Sequence, residues 1–249
     1  MVMPLISIIM PAFNASRTIV QAIKSVQAQT FRQWEILIVD DCSSDDTCII
    51  VEGYAASDGR IRLLRQSANG GPARARNVAI QKAIGRYFAF LDSDDYWLPE
   101  KLKLQLLFML SNNVALSYSL YRRFTDDRMR LGPLVKLPLS FTYSDLLKNT
   151  GIGCLTAMVD TKLTGYIEFP VIPHEDYALW LDILRRGFVA QGLMVDLGRY
   201  RVSKTSISGN KVKSALWVWN IYRNVEKLSF LRAVWYLFHY AWNAHKRNR

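Results

Sequence analysis

The sequence predicts an α/β fold: a mostly parallel sheet flanked by helices, then a smaller region, then a C-terminal helical hairpin. Three observations lead there. Short apolar runs alternate with helical patterns through the first hundred residues. Acidic residues gather just after the strand-like runs. The last forty residues read as two helices dense in aromatic and basic side chains.

The elements follow in order. LISIIM (5–10) is a short apolar run closed by Pro11, the pattern of a buried strand. Ile19, Ile23 and Val26 fall at helical spacing within 16–29, with Asn14 or Ser16 as the expected cap. EILIVD (35–40) is the second strand. SSDDT (43–47) supplies a capping residue and acids for a helix running to about Ala56. IRLLR (61–65) is a third strand. NGGPARARN (69–77) is a glycine turn entering a helix, with Pro72 near its first position. RYFAFLD (86–92) is the fourth strand, and Pro99 opens a helix over 99–111. The β-α-β-α-β-α-β order predicts a parallel sheet covered on both faces. Beyond residue 112, 114–124 alternates like an antiparallel or edge strand, 153–160 is a further strand, and 176–186 is an amphipathic helix stopped by Gly187. The tail reads as helices over 210–228 and 229–247. The expected organisation is one catalytic-type domain over 1–208, with a nucleotide-binding half (1–111) and an acceptor half (112–208), followed by a 209–249 tail.

At 249 residues, half of them hydrophobic, the chain can bury a full core, which excludes disorder as the main state. The net charge of +11 is unevenly spread: residues 201–249 hold ten Lys or Arg against one acid, Glu226. Such a cationic tail points to an anionic surface. Three cysteines without a CxxC pair argue against a disulfide framework or zinc site and suit a reducing compartment. The first residues lack a basic leader segment and read as a strand, and no uncharged apolar run reaches the roughly 18–20 residues that span a bilayer. The expected location is cytoplasmic, peripheral on the inner face of the cell membrane.

In a parallel sheet, ligands bind beyond the carboxyl ends of the strands, where Asn14, Asp40, Asp41 and the 91–95 acids all fall. LDSDD (91–95) places Asp92, Ser93, Asp94 and Asp95 on one turn. Two crowded carboxylates there favour a cation between them, and hard oxygen ligands suit Mg²⁺ or Mn²⁺. An acidic turn capping the next helix is the plainer alternative. In DDCSSDDT (40–47), a strand-end carboxylate can accept from a ribose hydroxyl or base N–H, while Ser43 to Asp46 also suit a helix cap. Arg74 and Arg76 near a helix start can meet a diphosphate or simply face solvent. Neither GxGxxG nor a P-loop is present. HED (174–176) opens a helix and offers Asp176 as a general base, with dipole-favoured acids as the ordinary alternative.

PAFN (11–14), DDCSSDDT, NGGPARARN, LDSDD and HEDYALW stand in the order and rough spacing of a known family. Over residues 4–208 the chain resembles the family 2 inverting glycosyltransferases of GT-A fold, notably those of bacterial surface polysaccharides such as O-antigen, capsule and teichuronic acid. The resemblance implies that Pro11, Phe13 and Asn14 lie at the nucleotide base and that Asp40 or Asp41 binds base or ribose. It implies that Arg74 approaches the diphosphate, with Ser93 beside the donor. Asp92 and Asp94 form the D-x-D, Asp94 being the more direct ligand of Mn²⁺ or Mg²⁺. Asp176 takes the acceptor proton, and Glu175 and Trp180 belong to the acceptor side. The expected reaction moves one sugar from a nucleotide sugar, a UDP-sugar by expectation, to a hydroxyl of a lipid-linked saccharide.

Two features mark a single-sugar transferase: the Q-x-x-R-W motif and the transmembrane helices of processive members are both missing. No histidine stands out as a third metal ligand; His239 and His245 lie in the tail and His174 is unplaced. The tail interleaves nine aromatic residues with basic ones, which suits an anionic membrane surface, a hairpin packed on the domain, or a second subunit in a homo-oligomer. Nucleic acid is not expected as a partner, because no RNA-binding signature accompanies the tail. Two rivals stay open: a non-catalytic nucleotide-sugar or lipid-surface binding protein, and a sugar-phosphate nucleotidyltransferase. The second should show a GxGxR loop after the first strand, where PAFNASRT stands.

Overall fold

A computed structural model describes residues 3–126, 130–202 and 211–247. The expected boundary at 208–209 and the basic residues Lys204 and Arg249 lie outside the described residues.

The first half follows the alternating pattern closely. Strand β1 (Ile6–Ala12), helix α1 (Ile19–Gln27), β2 (Trp34–Asp40), α2 (Thr47–Ser57), β3 (Ile61–Arg65), α3 (Pro72–Lys82) and β4 (Tyr87–Phe90) come in turn. Strands β2–β1 and β1–β4 pair in parallel, as do β2 and β3. All seven residues of β1 and all seven of β2 are buried, as strands covered on both faces must be. In α1 the buried residues Ile19, Ala22, Ile23 and Val26 sit at i, i+3, i+4, i+7 and face the sheet.

Next come β5 (Tyr96–Trp97), α4 (Lys101–Asn112), β6 (Leu116–Thr125), β7 (Arg130–Val135), β8 (Ser140–Phe141), α5 (Tyr143–Leu147), β9 (Met158–Asp160), α6 (Thr161–Thr164), α7 (Glu175–Arg185) and β10 (Ala190–Arg201). One sheet carries all ten described strands, in the order β3-β2-β1-β4-β9-β6-β10-β5, with β7 on β6 and β8 on β10. Beyond β4 the sheet is mixed: β9 runs antiparallel to β4 and β6, whereas β6 and β10 are parallel. The 114–124 segment is therefore an interior strand rather than an edge, since β9 and β10 flank it. The 12-residue β10 was not anticipated; Gly192, Gly198, Asp196 and Arg199 interrupt its apolar run, and two register shifts absorb them.

Two expected caps are corrected. Thr18 precedes α1 without a side-chain cap bond, and Asn14 is instead left-handed at φ 47°. Ser43 to Asp46 precede α2 rather than forming its first turn. Asp45 there accepts from the backbone N–H of Ser16 and Thr47, so the acids hold two loops together.

The core has two layers. One, under α1 and α4, includes Ile8, Met10, Ile36 and Ile38; the other, under α3, α5 and α7, includes Ile9, Leu37, Val39 and Trp180. The second layer also takes in the tail. Helix α8 (Lys211–Asn220), a π-helical turn (Ile221–Val225), the link after it and helix α9 (Phe230–Arg247) contribute Val218, Ile221, Tyr222, Leu228, Ala233 and Tyr236 to it. The tail is thus packed on the domain.

Candidate active site

The carboxyl ends of β1, β2 and β4 lie side by side, and the Asp41 N–H donates to the Ala12 carbonyl at 2.8 Å. Pro11 does not close β1 as the sequence suggested: the strand runs through it to Ala12, in register with Val39 and Asp40 of β2, and Phe13, half exposed, follows. Asn14 bridges two loops: its N–H donates to Ser43 Oγ and its side-chain oxygen accepts from the Ser44 N–H, each at 2.9 Å.

Asp40 and Asp41 are both buried, but their surroundings separate their roles. Asp41 is fully engaged, accepting from Gln66 Nε2 and from the N–H groups of Gly70 and Gly71, all at 2.7 Å. It holds the glycine turn that launches α3, where Gly71 has φ 82°. Asp40 accepts from the Ser43 N–H through Oδ2 and lies beside the Cys48 thiol, whose titration burial and then this carboxylate push up to about 11, while Oδ1 is buried without a hydrogen bond among the described residues. An orphaned carboxylate oxygen at a strand end is suited to a ligand N–H or hydroxyl.

Arg74 is exposed, its stem lying over Gly70, where a Cβ would come within 2.8 Å of Cδ. The arginine at the centre of the site is Arg76, which the motif reading noted but did not select. Pro72 at the first helical position sets α3 so that Ala73, Arg76, Asn77 and Ile80 face inward. That i, i+3, i+4, i+7 spacing was the available signal. Arg76 is buried and donates to Asp92 at 2.5 Å and to Glu175 at 2.6 Å. Burial opposes its charge, yet the carboxylates of Asp92 and Glu175 hold the guanidinium protonated well above its ordinary range.

Asp92, Ser93 and Asp94 form an open turn, and Asp95 turns inward. Partial desolvation, then the Asp92 charge, push the Asp94 carboxyl up to about 6. Asp95 is buried and accepts from the Arg201 N–H at 2.7 Å; the Arg201 Nε donates to the Asp94 carbonyl at 2.7 Å. Arg201, at the end of β10, thereby braces the acidic turn, a contact no local motif shows. Two carboxylates on a partly open turn fit a small hard cation that takes its remaining ligands from substrate phosphates and water. Among the described residues, no three His, Cys, Asp or Glu side chains form a ready cage.

Asp176 lies in the first turn of α7, beside Glu175. Burial, then the neighbouring Glu175 charge, push its carboxyl up to about 7, with Arg76 drawing it back down. A carboxylate poised there suits a general base. Trp180 corrects an expectation. It is fully buried against Phe90 and Phe169, at ring distances of 5.5 and 6.2 Å, so it belongs to the core and shapes no open face.

Comparison with known proteins identifies the family and the fold. The family model described as glycosyl transferase family 2 matches residues 7–158. A protein of Bacillus subtilis (strain 168) named for teichuronic acid biosynthesis, the glycosyltransferase TuaG, is 44% identical over 245 residues, 98% of this chain and 97% of its own. The Escherichia coli UDP-Glc:alpha-D-GlcNAc-diphosphoundecaprenol beta-1,3-glucosyltransferase WfgD is 41% identical over 240 residues, 95% of this chain and 92% of its own. Among solved structures, S. aureus TarS 1-349 in complex with UDP-GlcNAc superposes with a TM-score of 0.71 at 21% identity, covering 95% of this chain and 71% of that one. The Pyrobaculum calidifontis mannosyltransferase PcManGT, in complex with GDP-Man and Mn2+, gives 0.72 at 18% identity over 96% and 73%. At these identities the two structures share the fold.

Proposed function

The chain belongs to glycosyl transferase family 2, and from that premise we propose that it moves a single sugar from a UDP-sugar, with inversion, to a hydroxyl of a diphospholipid-linked saccharide during assembly of a bacterial surface polysaccharide. One observation carries the reading: Arg76 ties Asp92 of the acidic turn to Glu175 beside Asp176. The acidic turn suited to a departing diphosphate and the helix start that carries the proposed base are thereby joined by one guanidinium.

The residues divide the work. Asp40 offers its free oxygen to the base or ribose, beside Phe13 and Asn14. Asp92 and Asp94 would hold Mn²⁺ or Mg²⁺, which when bound neutralises the charge growing on the diphosphate. Arg74 stands exposed at the glycine turn, in position to add a second positive charge. Asp176 removes the proton from the attacking hydroxyl. Because the hydroxyl attacks from the side opposite the diphosphate, one displacement inverts the anomeric centre. The names of TuaG and WfgD support the acceptor class, and UDP-glucose is the first donor to try.

Among the described residues no helix is long and apolar enough to cross a membrane. Helix α9 has another relation to lipid. Its outer side exposes Phe230, Leu231, Val234, Trp235, Phe238 and Trp242, it contains no acidic residue, and Lys148 lies 5.2 Å over the Trp235 ring. Such a face suits the interface of an anionic bilayer, where the acceptor lipid resides.

The deciding experiment follows nucleotide release by the purified protein with Mn²⁺ and a panel of UDP-, GDP- and dTDP-sugars, with and without an N-acetylglucosaminyl diphosphate lipid. One UDP-sugar consumed only with metal and acceptor supports the reading. Asp176→Asn should lose turnover and keep UDP binding, which separates an enzyme from a binding protein. Asp94→Ala should lose the metal-dependent part of UDP affinity. No nucleotide binding at all would overturn the assignment.

A further inference from the structure

The proposed reaction leaves one contact beside Glu175 and Asp176 unused, that of His174 with Trp217. His174 immediately precedes Glu175 and Asp176 and is held left-handed at φ 57°, a conformation uncommon for a residue with a Cβ. Its Nε2 is buried with no hydrogen-bond partner among the described residues. Its ring meets the indole of Trp217 edge-on, with centroids 5.2 Å apart and planes at 72°. Trp217 comes from α8, far along the chain, and is half buried. Contacts therefore run in series from Asp92 through Arg76 to Glu175, and on through the adjoining His174 to Trp217.

We propose that the His174–Trp217 pair is a subsite for the acceptor's sugar ring, so that the C-terminal helices form part of the active site as well as part of the core. This rests on the glycosyltransferase reading. An indole face offers an apolar platform for the C–H face of a pyranose. The His174 imidazole, its titration lowered by burial, fixes the orientation of that platform through its edge-on contact with the indole. A sugar held there sits beside the residue pair that contains the base. A tryptophan that merely braces the tail would affect melting and leave sugar recognition alone.

The test uses the full chain with Trp217→Ala, Trp217→Phe and His174→Asn, asparagine being tolerant of the left-handed backbone. With UDP-glucose and an N-acetylglucosaminyl diphosphate on a synthetic lipid tail, Trp217→Ala should raise the acceptor KM about tenfold, the loss expected of one aromatic contact. Trp217→Phe should remain near wild type, His174→Asn should raise the acceptor KM, and the donor KM should hold in all three. A second readout needs no turnover: saturation-transfer NMR of methyl α-N-acetylglucosaminide on the protein loaded with UDP and Mn²⁺. Signal present in wild type and Trp217→Phe but lost in Trp217→Ala supports the subsite. An unchanged acceptor KM in a normally folded Trp217→Ala, a parallel loss of donor affinity, or sugar signal that is absent or indifferent to Trp217 overturns it. Wild-type silence toward every UDP-sugar, with the NMR result as expected, would instead count against the donor assignment alone.

Discussion

At the scale of single residues, the site is a set of carboxylates made unlike by their partners. As the proposed base, Asp176 acts only when deprotonated, and burial with the Glu175 charge pushes its carboxyl up to about 7. Turnover should therefore rise with pH through about 7, measured as kcat against pH at saturating substrates. Asp176→Asn should remove that limb and lower kcat by on the order of 10²–10⁴-fold. Arg76 lowers the Asp176 carboxyl, so Arg76→Gln should move the limb to higher pH besides weakening UDP binding. Asp40 and Asp41 are adjacent and both buried, yet they should fail differently. Asp41→Ala leaves the Gly70 and Gly71 N–H groups and Gln66 without their acceptor, and should cost about 3 kcal/mol in a denaturant melt. Asp40→Ala should spare most of the stability and lower UDP affinity, read by titration calorimetry. The DDCSSDDT motif made both residues candidates; only the hydrogen bonds distinguished them.

At the scale of elements, helix α9 shows why a sequence pattern alone left its role open. It is apolar on both sides: Ala233 and Tyr236 are buried in the second core layer, while Leu231, Val234, Trp235, Phe238 and Trp242 are exposed. Substitutions on the two sides should separate cleanly. Tyr236→Ala should lower stability by about 3–5 kcal/mol, as the loss of a large core side chain does. Leu231→Glu with Phe238→Glu should leave the melting temperature nearly unchanged and abolish co-sedimentation with vesicles containing anionic lipid. Retained co-sedimentation would assign the exposed face to something other than lipid. Helix α3 teaches a related lesson about register. Its two arginines differ by two positions, about 200° around the helix, which exposes Arg74 and buries Arg76. Reading the helix from Pro72 would have found this, because a proline at the first position fixes where the inward stripe begins.

At the scale of the whole molecule, one sheet joins strands β1–β4 of the first half to the later strands β9, β6 and β10, and the tail helices share the second core layer. Removing residues 211–249 would uncover Leu146, Leu147 and Tyr177, which pack with Tyr222. The truncated chain should therefore lose its cooperative melting transition, seen by circular dichroism, rather than survive as a soluble domain that has merely lost a membrane anchor.

The sequence by itself determined the alternation of strands and helices, the parallel nucleotide-side sheet and the strand ends that gather the acids. These depend on periodicity and on short motifs, which are local. It also supplied the family resemblance, because the motifs keep their order and spacing. Only the tertiary structure decided which carboxylate stays free, which arginine bridges Asp92 to Glu175, and that Trp180 is core whereas Trp217 reaches His174. Those outcomes depend on contacts between residues 99 apart, as for Arg76 and Glu175, or 107 apart, as for Arg201 and Asp94. Long-range partners set burial and charge, and burial and charge set what each side chain can do.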